Sequence, residues 1–396
     1  HKLRRKYSTP SQGWKHWHYL VGRTQPEFFV IRHLTAFALA ALGATGAAAQ
    51  TPWTNEIGIQ GGYSRVKPAG TSLDDQSDLL GFPGFGLSPL TPSYGALYAI
   101  VPLAHRLALE PSLSASQISF GLGVSTFTIG LRLDYALSSG LYAAAGGTLG
   151  YAAVPGGHET QLGLQVGTGY RLALSSALNG RVEVNWITTA KTDDLDPANV
   201  YSVILGVSSR LSGPARARPR GAAPRRSGRW RPALGIAGGY AGVHIVDQGD
   251  VAALAFPGFG AGLVTTGLPA PMPPTLFVII PIARNLALEP GFDLHRIQDV
   301  GAGETSYSAN YAARLNYAFG AGWYAAAGAN LWHFVETGNP AVTVLGAGVA
   351  WGYQFRMTGA LGGRVEINYT MFPHNDQLGQ ASNTLGLMLG ATMPLR

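Results

Sequence analysis

The sequence predicts an all-β chain, an antiparallel up-and-down transmembrane β-barrel built as two tandem eight-stranded barrels. Three observations carry that prediction. Beyond residue 50 apolar and polar residues alternate in segments of roughly ten, bounded by turn residues, and no convincing amphipathic helix interrupts them. Whole pieces of the chain return in the same order further on. Charged residues make up only 12% of the 396 residues while glycine contributes 54, against an ordinary charged share of about 25%.

The recurrence is most exact at Leu107-Ala108-Leu109-Glu110-Pro111, which returns as Leu286-Ala287-Leu288-Glu289-Pro290. Leu80-Gly81-Phe82-Pro83-Gly84-Phe85-Gly86 matches Leu254-Ala255-Phe256-Pro257-Gly258-Phe259-Gly260. Leu131-Arg132-Leu133-Asp134-Tyr135 matches Ala313-Arg314-Leu315-Asn316-Tyr317, and Tyr142-Ala143-Ala144-Ala145-Gly146 matches Tyr324-Ala325-Ala326-Ala327-Gly328. Arg181-Val182-Glu183-Val184-Asn185-Trp186 matches Arg364-Val365-Glu366-Ile367-Asn368-Tyr369. Such self-similarity reads as an internal repeat.

In chain order, residues 1–30 show neither period and read as a disordered upstream extension. Residues 31–49 read as a signal peptide: Arg32 and His33, an apolar run from Leu34 to Leu42, then Ala47-Ala48-Ala49. The run is too short to span a bilayer as a helix, and cleavage is expected after Ala49. An ordinary buried helix is the bland alternative.

Residues 50–211 form the first repeat, with strands expected near 55–66, 94–103, 106–117, 124–137, 140–151, 160–173, 180–190 and 200–211. Residues 212–231, rich in Arg, Pro and Gly, read as an unstructured linker. Residues 232–396 form the second, with strands near 232–243, 275–282, 285–297, 305–319, 322–333, 341–356, 362–371 and 382–394. Long connections alternate with tight turns, beginning with a long loop at 67–93, as in an up-and-down membrane barrel.

Facing separates a membrane barrel from a soluble one. One parity collects Leu107, Leu109, Ile129, Leu131, Leu133, Leu162, Leu164, Val166, Val182, Val184 and Trp186; the other collects Glu110, Thr128, Arg132, Asp134, Gln161, Gln165, Arg181, Glu183 and Asn185. Turned inward, the apolar set would leave a water-facing wall of Gly, Ser, Thr and Gln with few charges, a poor solvent surface. Turned outward it meets lipid, and closure satisfies every backbone group without an edge.

This pattern resembles the small eight-stranded outer-membrane barrels of the OmpA, OmpX and OmpW type. The resemblance covers each repeat nearly whole and rests on pattern rather than on a diagnostic motif. It implies a Gram-negative outer membrane, export through the cleaved signal peptide, contact with outer-membrane lipid and lipopolysaccharide, and insertion by the outer-membrane assembly machinery. The chain departs from those barrels in closing with Met393-Pro394-Leu395-Arg396 instead of an aromatic residue.

A single sixteen-stranded barrel is the alternative architecture. It needs only a short turn at 212–231. Sixteen strands also leave a water channel, whereas eight leave a bore that side chains fill, which suits an inward set of Gly, Ala, Ser and Thr around a few charges.

The candidate site is an interior ion-pair network. Glu110, Arg132, Arg181 and Glu183 in the first repeat recur as Glu289, Arg314, Arg364 and Glu366 in the second, with Asn185 and Asn368 beside them. Buried charges require partners, and the Arg fork matches a carboxylate. A polar constriction for small solutes is the functional alternative. A catalytic carboxylate pair is disfavoured, because Arg neighbours hold carboxylates ionised.

No His recurs between the repeats: His105, His158, His295, His333 and His374 lack counterparts, so no catalytic residue is assigned. The acidic groups Asp74, Asp75, Asp78 and Asp193, Asp194, Asp196 read as solvated loop charges, so no metal is assigned and no cofactor is expected. The shared Phe-Pro-Gly-Phe-Gly reads as a tight turn packed by its own aromatics, with a lid or an adhesion patch as the other reading. With no Cys there are neither disulfides nor thiolate sites.

The pI of about 9.6 does not signal nucleic acid. Residues 1–49 hold seven Lys/Arg against one acid, and residues 212–231 hold seven Arg and no acid, so the repeats themselves are mildly acidic. Three function classes follow: a structural or loop-mediated interaction role, a porin-like channel for small solutes, and a lipid-modifying enzyme, the last finding least support.

Overall fold

The computed structural model describes residues 53–68, 77–82, 95–120, 122–138, 140–154, 157–175, 178–192, 197–211, 230–245, 249–256, 275–299, 303–357, 361–375 and 380–395. The signal peptide expected at 31–49 lies outside these residues, as does the linker expected at 212–231 up to residue 229; its last two residues are described, and the unstructured reading is corrected there, because Trp230 is buried against the second half of the chain.

The described residues form eighteen strands. The first half holds β1 (Glu56–Pro68), β2 (Ser77–Phe82), β3 (Leu97–Ala104), β4 (Leu107–Phe120), β5 (Leu122–Ala136), β6 (Leu141–Val154), β7 (Gly157–Ala173), β8 (Leu178–Thr189) and β9 (Ala198–Arg210). The second holds β10 (Ala233–Ile245), β11 (Gly249–Phe256), β12 (Leu276–Pro281), β13 (Leu286–Asp299), β14 (Glu304–Gly320), β15 (Trp323–Glu336), β16 (Val342–Arg356), β17 (Gly362–Asn375) and β18 (Gln380–Pro394).

Sixteen of these lie where alternation placed them; β2 and β11 do not. They fall in stretches read as the long first loop of each repeat, so that reading is corrected: part of each loop is strand. Ser-Asp-Leu-Leu-Gly-Phe at 77–82 is too short to show a period, and a neighbouring ladder supplies the hydrogen bonds that hold it extended. The rest of the Phe-Pro-Gly-Phe-Gly segments, 83–86 and 257–260, lies outside the described residues.

All pairings are antiparallel. In the first half β3 through β9 pair in sequence, and β9 closes onto β1 over thirteen residue pairs from Glu56↔Arg210 to Pro68↔Ala198. β1 completes this eight-stranded ring by pairing β3 from Glu56↔Ile100 to Ile59↔Leu97. The second half repeats the arrangement: β12 through β18 pair in sequence, β18 closes onto β10, and β10 meets β12 from Ala233↔Ile279 to Ile236↔Leu276.

Towards the loop end the two rings merge. There β1 pairs β2 (Gly62↔Gly81 to Val66↔Ser77), and β2 passes its far edge to β13 of the other half (Phe82↔Leu294 to Ser77↔Asp299). β10 likewise pairs β11, whose far edge lies on β4 (Ala252↔Ser119 to Phe256↔Ala115). The ladder at the turn end thus closes as two eight-stranded rings, while the ladder at the loop end runs through sixteen strands. The eight- and sixteen-stranded architectures, alternatives in the sequence, occupy opposite ends of one molecule.

Outside, the walls are apolar: Leu162, Leu164, Val184, Leu345, Val349 and Ile367 are 56–70% exposed. A water-facing wall of this kind would be unstable, and a bilayer solvates it. Where the rings stand side by side this outer face is buried instead. Ile59, Ile236 and Leu276 pack with Leu97 and Leu234, and Leu178, Leu361 and Met393 with Ile57 and Leu211. Ile59 and Ile236 hold matching registers, opposite Leu97 and Leu276, so the seam joins like to like.

Candidate functional site

Inward residues arrange each bore in two zones. At the loop end an apolar cluster stands among buried polar side chains such as Thr126, Gln161 and Ser202: Val66, Leu79, Ile187, Ala198, Val200 and Ile204 pack together in the first half. Trp332, Phe334, Val342, Val344 and Phe372 do so in the second. Nearer the turn end the filling is charged.

In the first ring Arg132 donates to both carboxylate oxygens of Glu183, with Nη2 2.6 Å from Oε2. Arg132 Nη2 also lies 3.1 Å from Glu110 Oε1, and its Nε 3.1 Å from Asp134. Arg181 donates to both oxygens of Glu110, Nη2 to Oε1 at 3.0 Å, and to the Gln60 side-chain carbonyl. Its guanidinium stands 3.7 Å over the Tyr98 ring. The Tyr142 hydroxyl and the Asn185 amide donate to Glu183. Each of these carboxylates therefore has a planar cationic partner, which is what their burial at 0–2% exposure requires.

The second ring repeats the network with small changes. Arg314 donates to Glu366 at 2.7 and 2.6 Å and to Glu289 at 2.9 Å. Arg364 donates to Glu289 at 3.0 and 2.9 Å and to Glu366 at 2.6 Å, under the Phe277 ring at 4.2 Å. Tyr324 donates to Glu366 at 2.6 Å, and Asn316, standing where the first ring has Asp134, donates to Glu289 at 2.7 Å. Against this network lies a cavity of about 50 Å³, large enough for water, whose wall combines Asn330, Asn368 and Thr370 with apolar residues such as Phe277, Val349 and Met388.

All eight charged residues singled out in the sequence thus meet, four in each ring. Several partners were not legible there. Tyr142 and Tyr324 sit in the recurring Tyr-Ala-Ala-Ala-Gly, which was a usable signal. Trp53 and Trp230 are seven to eight per cent exposed under the networks. They donate to the Arg106 and Asn285 carbonyls at 3.1 and 3.0 Å and meet Tyr142 and Tyr324 edge-on at 5.7 and 5.5 Å. They lie just before each first strand, outside any alternating segment. A further group at the turn end belongs to the first ring alone: Glu56 accepts from Arg171, Asn179 (2.9 Å) and Ser208 (2.5 Å).

Glycine supplies the room. A Cβ on Gly146 would stand 2.5 Å from the Cα and Cβ of Arg132, and one on Gly328 the same distance from those of Arg314. These glycines lie opposite the arginines on the neighbouring strand, and their bare backbone lets the two strands approach this closely there.

The remaining candidates do not gather. His105 is exposed, His158 lies by the Tyr151 ring at 6.1 Å, and His333 Nδ1 is 2.8 Å from the Thr343 hydroxyl. His295 is buried two residues from Asp293, which accepts from the Thr275 backbone N–H at 3.0 Å. Asp78, read as a solvated loop charge, is corrected: it lies on β2 and binds Arg65 at 2.8 and 2.9 Å. The other acidic residues of those groups, at 74, 75, 193, 194 and 196, lie outside the described residues. Among the described residues no three His, Asp or Glu gather as metal ligands would.

This architecture defines a transmembrane β-barrel whose interior carries two ion-paired networks. No protein-family model matches the chain, and no curated protein does. Among solved structures, the attachment invasion locus protein Ail of Yersinia pestis, in complex with the heparin analogue sucrose octasulfate, is 15% identical. That match covers 40% of this chain and 99% of Ail at a TM-score of 0.27. The CymD monoaromatic hydrocarbon channel is 10% identical over 88% of this chain and 89% of its own, at 0.28. A FadL homologue of Pseudomonas aeruginosa is 11% identical over 87% and 91%, at 0.27. Similarities this distant assign no role to the chain.

Proposed function

We propose that this is an outer-membrane protein of a Gram-negative bacterium whose role is structural or exerted through its outer loops, not through conduction. The duplicated ion-pair network supports this reading above all. Arg132 and Arg181 with Glu110 and Glu183, and their four counterparts, span bores that eight strands leave just wide enough for side chains. An apolar cluster stands behind each network, so a hydrated ion meets two successive obstacles. Lipid contacts the apolar wall, and lipopolysaccharide and the assembly machinery are the partners that such a location entails. The reading assigns no catalytic group.

The test is planar-bilayer conductance of the refolded mature chain, residues 50–396. The expected result is a silent bilayer although insertion is shown by a heat-sensitive gel band. Stable ohmic steps would overturn the reading in favour of a channel. The water-sized cavity beside Arg314 and Arg364 is the observation that favours that second reading.

A further inference from the structure

The merging of the rings rests on two short strands whose pairings are interchangeable. Phe82 of β2 stands opposite Leu294, and Phe256 of β11 opposite Ala115. Phe82 and Phe256 close the matching segments Leu80-Gly81-Phe82 and Leu254-Ala255-Phe256. Ala115 and Leu294 each stand eight residues beyond the matching Leu107 and Leu286. So β2 presents itself to β13 in the very register in which β11 presents itself to β4. Shifting neither strand along its partner, β2 could zip onto β4 and β11 onto β13.

We infer that the chain has a second closed state, in which β2 pairs β4 and β11 pairs β13, leaving two separate eight-stranded barrels. The exchange resembles a domain swap held within one chain. Each swapped strand keeps its attachment to β1 or β10, so only two short seams open. Residues 83–96 separate β2 from β3 and residues 257–275 separate β11 from β12, so neither strand is obliged to share its far neighbour with the strand below it. The apolar seam through Ile59, Ile236 and Leu276 lies below the exchange and holds the halves together in both states. The states differ in the mouth they offer: one rim of sixteen strands, or two rims of eight.

The chain contains no Cys, so disulfide trapping reads the two states directly. Leu80 stands opposite Arg296 in the merged state and would stand opposite Gln117 in the separated one. The variants L80C/R296C and L80C/Q117C, made in the full mature chain and oxidised in vesicles, are each expected to close within one chain. Y63C/L80C spans a pairing common to both states and reports that a thiol at position 80 reacts. With that control closed, the inference is overturned if only one of the two diagnostic pairs closes, if neither does, or if they join only different chains.

Discussion

Arg132 on β5 and Glu183 on β8 are 51 residues apart in sequence and three strands apart around the ring, yet they meet as a two-pronged pair across the bore. Their counterparts Arg314 and Glu366 do the same at 2.7 and 2.6 Å. These are pairings across the interior, not along the wall, and they tie together strands that share no backbone hydrogen bonds.

Removing one partner should therefore cost more than removing both. Glu183→Ala leaves the Arg132 guanidinium, four per cent exposed, with a lost counter-charge, which should cost about 3–5 kcal/mol. The double variant R132M/E183L should recover part of that loss. Urea titration of residues 50–396 in vesicles measures both, and additive losses would show that the pair is uncoupled.

Adjacent glycines should respond oppositely. Gly146→Ala drives a methyl into the Arg132 backbone and should destabilise by roughly 1–3 kcal/mol. Beside it, Gly147→Ala meets only the Gly163 carbonyl at 3.4 Å, where the change should stay within about 1 kcal/mol. The same titration ranks them, and equal effects would show that the close strand approach at Gly146 does not require glycine.

Leu164, 70% exposed at the centre of β7, reports what surrounds the barrel. In a bilayer Leu164→Arg should cost about 2–4 kcal/mol, depending on depth. On a water-facing wall the same change would stay within about 0.5 kcal/mol. Refolding yield and urea midpoint in phospholipid vesicles decide between them.

Alternation and recurrence along the chain are enough to set the strand class, the side of each strand that meets lipid, and the eight charged residues that fill the bores. Those properties are local: period-two alternation fixes facing, and the repeat singles out Glu110, Arg132, Arg181 and Glu183 with their counterparts. Which residue pairs with which is settled by contacts across the closed rings. Trp53 and Trp230 carry no periodic signal, because they enter the bores from the chain just ahead of a strand. β2 and β11 are too short to show a period, and what holds them extended is a neighbour from the other half. Whether eight or sixteen strands close the barrel was undecidable from alternation, which is identical in both. It depends on which far edge β2 and β11 meet, a choice made by long-range hydrogen bonding at the point where the two rings converge.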